Sequence, residues 1–317
     1  MNLFDKQSAE WCPNNFRSPS KGLPNPRRLT SATPIRGTSH LRCGPCGTLL
    51  ELCRSEKSDI IMINMKKSIL LLTWSLLTMI AVSCGKNGGG HNDNDIIEFK
   101  DPNFQNALLT HNCAYVDDFE HPTYIDTNND GKISFGEAKN VELLALTDLV
   151  DETAESYNIE DISEIKYFTG MIGLICDDNK LTSIDVSKNT PLEMLSLNDN
   201  QLTSLDISKN VRLVVLNCDR NKLTSLDVSK NTALKGVSVD NNQLTSLDVS
   251  NNADLNVLYC RNNSITTLDV SKNTSLKYFY CSGNKLEKLI LPSENSIEDY
   301  CLKDIKKEYG EGIIEYK

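Results

Sequence analysis

From residue 171 to residue 286 apolar and polar positions follow one pattern six times over. Asn179, Asn200, Asn221, Asn242, Asn263 and Asn284 stand 21 residues apart, each followed two residues later by Leu181, Leu202, Leu223, Leu244, Ile265 or Leu286. Ahead of each Asn runs apolar-x-x-apolar-x-apolar, as in Leu192, Leu195 and Leu197 or Leu255, Leu258 and Cys260. The alternation closing that run puts Leu195 and Leu197 on one face of a short strand. After the Asn comes a second alternating pair, Leu205 and Ile207 or Leu226 and Val228, with only a short polar run such as Ser-Lys-Asn-Thr before the next unit. That remainder is too short for a full helix, so it predicts extended or tightly turned segments. One unit cannot bury a core by itself. Copies must stack, with equivalent strands about 4.8 Å apart.

The unit resembles the leucine-rich repeat, Leu-x-x-Leu-x-Leu-x-x-Asn-x-Leu. Its 21-residue length and the lead-in Ile162-x-x-Ile165-x-Tyr167-Phe168 are similar to internalin-like repeats. The resemblance covers residues 158–291 and is closest over 171–291; Asn158 keeps the period, but Glu160 stands where Leu belongs. It implies a leucine-rich-repeat solenoid over 141–291, with short parallel strands on the concave face, extended or turned convex segments and a small helical N-terminal cap over 96–140. The repeated Asn is expected to turn inward and satisfy backbone groups at each bend. Residues 292–317 are expected to cover the open apolar edge of the last coil. Cys176, Cys218, Cys260 and Cys281 share a core column with Leu197 and Val239 and read as buried free thiols. Alternate coils lie about 10 Å apart, too far for a disulfide, and in-register neighbours such as Cys260 and Cys281 point alike.

Upstream the pattern changes. Met65-Lys66-Lys67 precedes a mainly apolar stretch over 69–82 that ends in Ala81-Val82-Ser83-Cys84. A basic start, a short apolar region and small residues before a cut are the parts of an export signal. The segment resembles a bacterial lipoprotein signal peptide over 65–83, which implies cleavage before Cys84 and lipid on its sulfur. The expected setting is the outer membrane, facing the periplasm or the cell surface. Lys86-Asn87-Gly88-Gly89-Gly90 follows, and 84–95 reads as a flexible tether. Residues 1–64, rich in Pro, Ser and Arg, read as a spurious or disordered extension ahead of a true start at Met65. Cys43-Gly44-Pro45-Cys46 lies there without the strand and helix that thioredoxin-type chemistry requires.

Ahead of the repeats, Asp126-Thr127-Asn128-Asn129-Asp130-Gly131-Lys132-Ile133-Ser134-Phe135-Gly136-Glu137 matches a twelve-position calcium loop. Asp126, Asn128, Asp130, Ser134 and Glu137 supply oxygen at positions 1, 3, 5, 9 and 12, and Lys132 supplies its carbonyl at 7. The loop resembles an EF-hand with an incomplete first helix, since His121-Pro122 interrupts the entry. A helix is expected over 104–109 before it and over 138–146 after it. The implied cofactor is a structural calcium ion; the plain alternative is a Gly-containing surface turn.

Charge divides at Cys84. Lys and Arg outnumber Asp and Glu by 11 to 5 before it, while 22 face 38 from Cys84 onward. An acidic body excludes nucleic acid as a partner. The four histidines, His40, His91, His111 and His121, all lie outside the repeats, and no nucleophile-base spacing or phosphate loop accompanies them. The expectation is a binding protein and not an enzyme.

In register, the strand positions facing out of the core form columns. One reads Ile175, Ser196, Asn217, Ser238, Tyr259, Tyr280; its neighbour reads Gly173, Met194, Val215, Gly236, Val257, Tyr278. Aromatics gather at one end, so Tyr259, Tyr278 and Tyr280 are the candidate hot spot for a protein partner, or alternatively a glycan. A flanking column that includes Asp219, Asp240 and Arg261 is expected to add an acidic strip. Asp185, Asp206, Asp227, Asp248 and Asp269 form another column, read as turn-formers.

Overall fold

A computed structural model describes residues 91–115, 123–147, 156–293 and 297–317. The N-terminal extension with its Cys43-Cys46 pair, the export signal, Cys84, the glycine run and His121 lie outside the described residues.

The chain is already held at Asn92. Phe135 N–H donates to Asp95 O at 3.0 Å, Gly136 N–H to Asp93 O at 2.9 Å and Ile97 N–H to Ile133 O at 2.9 Å, which ties 93–97 along the calcium-like loop. Helix α1 (Pro102–Thr110) starts at Asp101, whose Oδ1 accepts from Asn103 N at 2.7 Å and Phe104 N at 3.3 Å, with Pro102 at the first turn. The same carboxylate reaches the repeats: its Oδ2 accepts from Glu160 N at 2.6 Å and Asp161 N at 3.0 Å. Burial pushes the Asp101 pKa up, but those four backbone donors outweigh it and hold the group below its usual value. A short helix, α2 (Phe135–Lys139), follows the loop and ends there. The expected run to residue 146 does not form, because Leu143-Leu144-Ala145 is strand β2 (Leu143–Ala145), with Leu144 at the inward position of the first coil. Pairing with the next coil overrides local helix preference.

Strand β1 (Ala114–Tyr115) pairs antiparallel with β2, and every later step of the concave sheet is parallel. The strands β3 (Gly173–Ile175), β4 (Met194–Ser196), β5 (Val215–Asn217), β6 (Gly236–Ser238) and β7 (Val257–Tyr259) recur every 21 residues, and β9 (Tyr278–Tyr280) closes the series. Leu174, Leu195, Leu216, Val237, Leu258 and Phe279 meet in register and are buried. Beyond a 3-10 turn over Ser163–Tyr167 in the first coil, the described convex side is extended or turned. Only at its C-terminal end does it become a sheet, with β8 (Thr267–Asp269), β10 (Lys288–Leu291) and β11 (Ile314–Tyr316) parallel to one another. This is a leucine-rich-repeat solenoid. Cys176, Cys218, Cys260 and Cys281 are buried in the core, as expected.

Two asparagine ladders hold the coils. Asn200 Nδ2–H donates to Cys176 O at 2.8 Å while its Oδ1 accepts from Leu181 N at 3.0 Å, and the other five members of the column repeat the pattern. The residue before each has a left-handed backbone, from Asp178 to Gly283. At Gly283, with φ +73°, a Cβ would stand 2.2 Å from Asn262 Oδ1, so a side chain there would have to displace that amide. The second ladder, Asn189, Asn210, Asn231, Asn252 and Asn273, is fully buried and was not foreseen. Asn231 Nδ2–H donates to Ile207 O at 3.0 Å and Asn210 O at 2.8 Å, tying one coil to its predecessor.

Helix α3 (Asp299–Tyr309) lies against β9 and buries Cys301, Leu302 and Ile305. Its last turn stands in for the missing next coil. The Tyr309 hydroxyl accepts from Asn284 N and donates to Cys281 O, both at 2.9 Å, and Glu308 Oε1 accepts from Gly283 N at 2.6 Å.

Candidate binding face

The three candidate tyrosines come together. Tyr259 and Tyr280, on adjacent strands β7 and β9, meet edge to face with ring centroids 5.0 Å apart. Tyr280 also lies 6.3 Å from Tyr300 of α3, a residue of the expected C-terminal cap that the repeat columns do not include because it sits beyond the repeat period. Tyr278 is 37% exposed and Tyr300 41%, while Tyr259 and Tyr280 are half-buried. Burial raises the pKa of Tyr259, and burial with the Tyr300 hydroxyl raises that of Tyr280, so these two hydroxyls stay neutral at physiological pH. Exposure along the outward columns rises toward this end: Ile175 and Met194 are buried, in contrast to Tyr278.

Arg261 joins the patch to the flanking column. Its guanidinium lies 5.4 Å from the Tyr259 ring centre and 5.3 Å from that of Tyr280. The same group donates from Nε to Asp240 Oδ2 at 2.7 Å, and its backbone N–H donates to Asp240 Oδ1 at 2.6 Å. Asp240 is buried.

The flanking column also has a structural task. Asn198 N–H donates to Asp177 Oδ1 at 2.8 Å, Asp219 N–H to Asn198 Oδ1 at 2.8 Å and Asp240 N–H to Asp219 Oδ1 at 2.7 Å. Each side chain thus caps the backbone of the next coil. Ser196 and Ser238 hydroxyls add to the carboxylates of Asp177 and Asp219. Even so, burial dominates and pushes both pKa values up to about 6. The convex Asp column behaves as expected, each Oδ1 accepting from the N–H two residues on, as Asp206 does from Ser208 at 2.9 Å.

In the calcium-like loop Asp126 Oδ2 accepts from Gly131 N at 2.8 Å, Asn128 Oδ1 from Asp130 N at 2.8 Å and Asp130 Oδ1 from Lys132 N at 2.9 Å. Gly131 has φ +77°, and Ile133 is buried as the anchor. Ser134 caps α2 in a reciprocal box with Glu137, whose Oε2 accepts from Ser134 N and Oγ and whose Oε1 accepts from Thr127 N and Oγ1. Burial alone would push the Glu137 pKa up; these donors outweigh it and hold it low. The donor set is all hard oxygen, which suits calcium. Among the described residues no three His, Cys, Asp or Glu side chains converge around one point as metal ligands do. Of the histidines, His91 stacks on Phe135 at 3.9 Å and His111 packs beside Tyr157.

No protein-family profile and no curated protein matches the chain. Among solved structures it is similar to the functional domain of InlJ from Listeria monocytogenes, described as including a cysteine ladder, at 28% identity and TM-score 0.36 over 61% of this chain and 50% of that one. It is also similar to a leucine-rich-repeat protein of Leptospira interrogans, at 21% identity and TM-score 0.44 over 58% and 57%, and to internalin F of Listeria monocytogenes, at 19% identity and TM-score 0.43 over 57% and 62%. The chain thus spans about half to three fifths of the length of each.

Proposed function

We propose that this protein is a lipid-anchored interaction module that binds a protein partner through the C-terminal end of its concave face. The observation that carries the reading is the tyrosine cluster of Tyr259, Tyr278, Tyr280 and Tyr300, with Tyr278 and Tyr300 exposed beside two half-buried rings. Tyrosine loses little side-chain entropy on binding and offers both apolar area and a hydroxyl, which suits it to a hot spot. Anchoring rests on the Met65 to Cys84 signal; a structural calcium in the 126–137 loop rests on its oxygen set and on Gly131. Catalysis has no part in the reading.

Tyr278→Ala, compared with Lys230→Ala on the convex side, tests the site. Cross-linking of a partner on intact cells should be lost in the first and kept in the second. Equal cross-linking by both variants moves the site elsewhere, and Tyr278-dependent binding on a glycan array alone would replace the protein partner by a carbohydrate. Metabolic labelling with a fatty acid that persists in Cys84→Ser would remove the anchor from the reading.

A further inference from the structure

The outward strand positions of the concave face, two on each of β3 to β7 and on β9, carry no charge. Among the described residues the cation over Tyr259 and Tyr280 is Arg261, and its charge is already met. Asp240 faces it at 2.6 Å, with 5% of the Asp240 side chain exposed, and the rings of Tyr259 and Tyr280 flank it. The Asp177 and Asp219 carboxylates accept from neighbouring backbone and serine donors. The outward columns and the Arg261–Asp240 pair therefore carry no net charge, in a chain that carries 22 Lys and Arg against 38 Asp and Glu from Cys84 onward, and the charged Asp177 and Asp219 lie two or more coils away from Tyr259.

Resting on the reading above, we infer that this patch takes an uncharged, proline- or aliphatic-rich segment of a protein partner, with Arg261 as a positioning residue that fixes the rings. A basic segment would be drawn by the acidic body, yet at the patch it would find both Asp240 oxygens already taken by Arg261 and would lose water without repayment. An acidic segment could reach Arg261 only by parting it from Asp240, which would strand a buried carboxylate. An uncharged extended segment meets neither obstacle. Proline rings lie well against tyrosine faces, and a polyproline conformation has little entropy left to lose.

Selection of displayed random peptides on the full chain, followed by titration of the selected peptides, tests this. The expected peptides are uncharged and rich in Pro, Leu or Ile. Their Kd should change less than about twofold between roughly 50 and 500 mM NaCl, and Tyr278→Ala should weaken them at least about tenfold. Arg261→Met should weaken binding and flatten the near-ultraviolet tyrosine dichroism, with Arg261→Lys restoring part of both. Selection of Lys- or Arg-rich peptides whose affinity collapses in salt, still lost in Tyr278→Ala, would keep the site and overturn its neutral character. Affinity unchanged in Tyr278→Ala would overturn the site and the inference together. Tyr278-dependent glycan binding with no peptide selected would overturn the peptide partner.

Discussion

At the scale of single residues, the coils are joined by side chains that reach across to the neighbouring backbone. Asp177 and Asp219 do this at a cost, because burial raises their pKa to about 6, above the usual carboxylate value. The folded protein then binds protons more tightly than the unfolded chain. The stability these groups contribute is full below about pH 4 and is lost as pH rises through about 6. Asn198 fills the same ladder position with a neutral amide. Asp177→Asn with Asp219→Asn should therefore raise the melting temperature at pH 7.5 and flatten its fall between pH 4 and 7.5, by up to about 3 kcal/mol per group. An unchanged pH profile would exclude these carboxyls as its source. The buried Asn ladder supplies a second prediction. Asn231→Ala leaves the carbonyls of Ile207 and Asn210 without their donor and should cost about 3 kcal/mol in denaturant unfolding, against a few tenths for exposed Lys230→Ala. The sequence made one Asn column legible and hid the other. Both recur at 21 residues, but Asn189 and its equivalents sit in a polar Ser-Lys-Asn run that reads equally as a surface turn, and residue identity does not say which way an amide points. For the Asp219, Asp240 and Arg261 strip, likewise, composition gave its charge but not its hydrogen-bond partners.

At the scale of elements, both caps finish what the repeat leaves open. The strands were legible because their alternation is strict, whereas helix α3 follows no repeat and Tyr300 came with it. Tyr309→Phe removes one hydroxyl that serves two backbone groups, so it should destabilise by about 1–2 kcal/mol and speed amide exchange at Asn284 first. Exchange that rises evenly along the coils would assign Tyr309 no special place. At the other end the loop is braced by 93–97 and by Glu137, which joins its first residues to α2. Calcium should raise the melting temperature over that in chelator, and Glu137→Gln should abolish the rise. A calorimetric titration without heat, and without a melting shift, would leave the loop as a turn. Helix α2 stops short of its sequence-based span because strand pairing, not propensity, decides residues 143–145.

At the scale of the whole molecule, one apolar core joins the described residues from Ile97 to Ile305, and each concave strand pairs with its neighbours. The 21-residue period made that architecture readable from the chain alone, since a fixed spacing constrains register as firmly as any contact. The uniform period also makes the molecule a ruler with interchangeable segments. Residues 210–230 form one full unit, and their removal would set Lys209 before Asn231 with both asparagine columns still in phase. Such a shortened chain should unfold as cooperatively as its parent at a somewhat lower denaturant midpoint, as circular dichroism would show, while removal of half as many residues should abolish folding. Between the calcium-like loop and the tyrosine patch, distance can thus be changed in steps of about 4.8 Å by unequal exchange between tandem copies in the gene, with neither end redesigned.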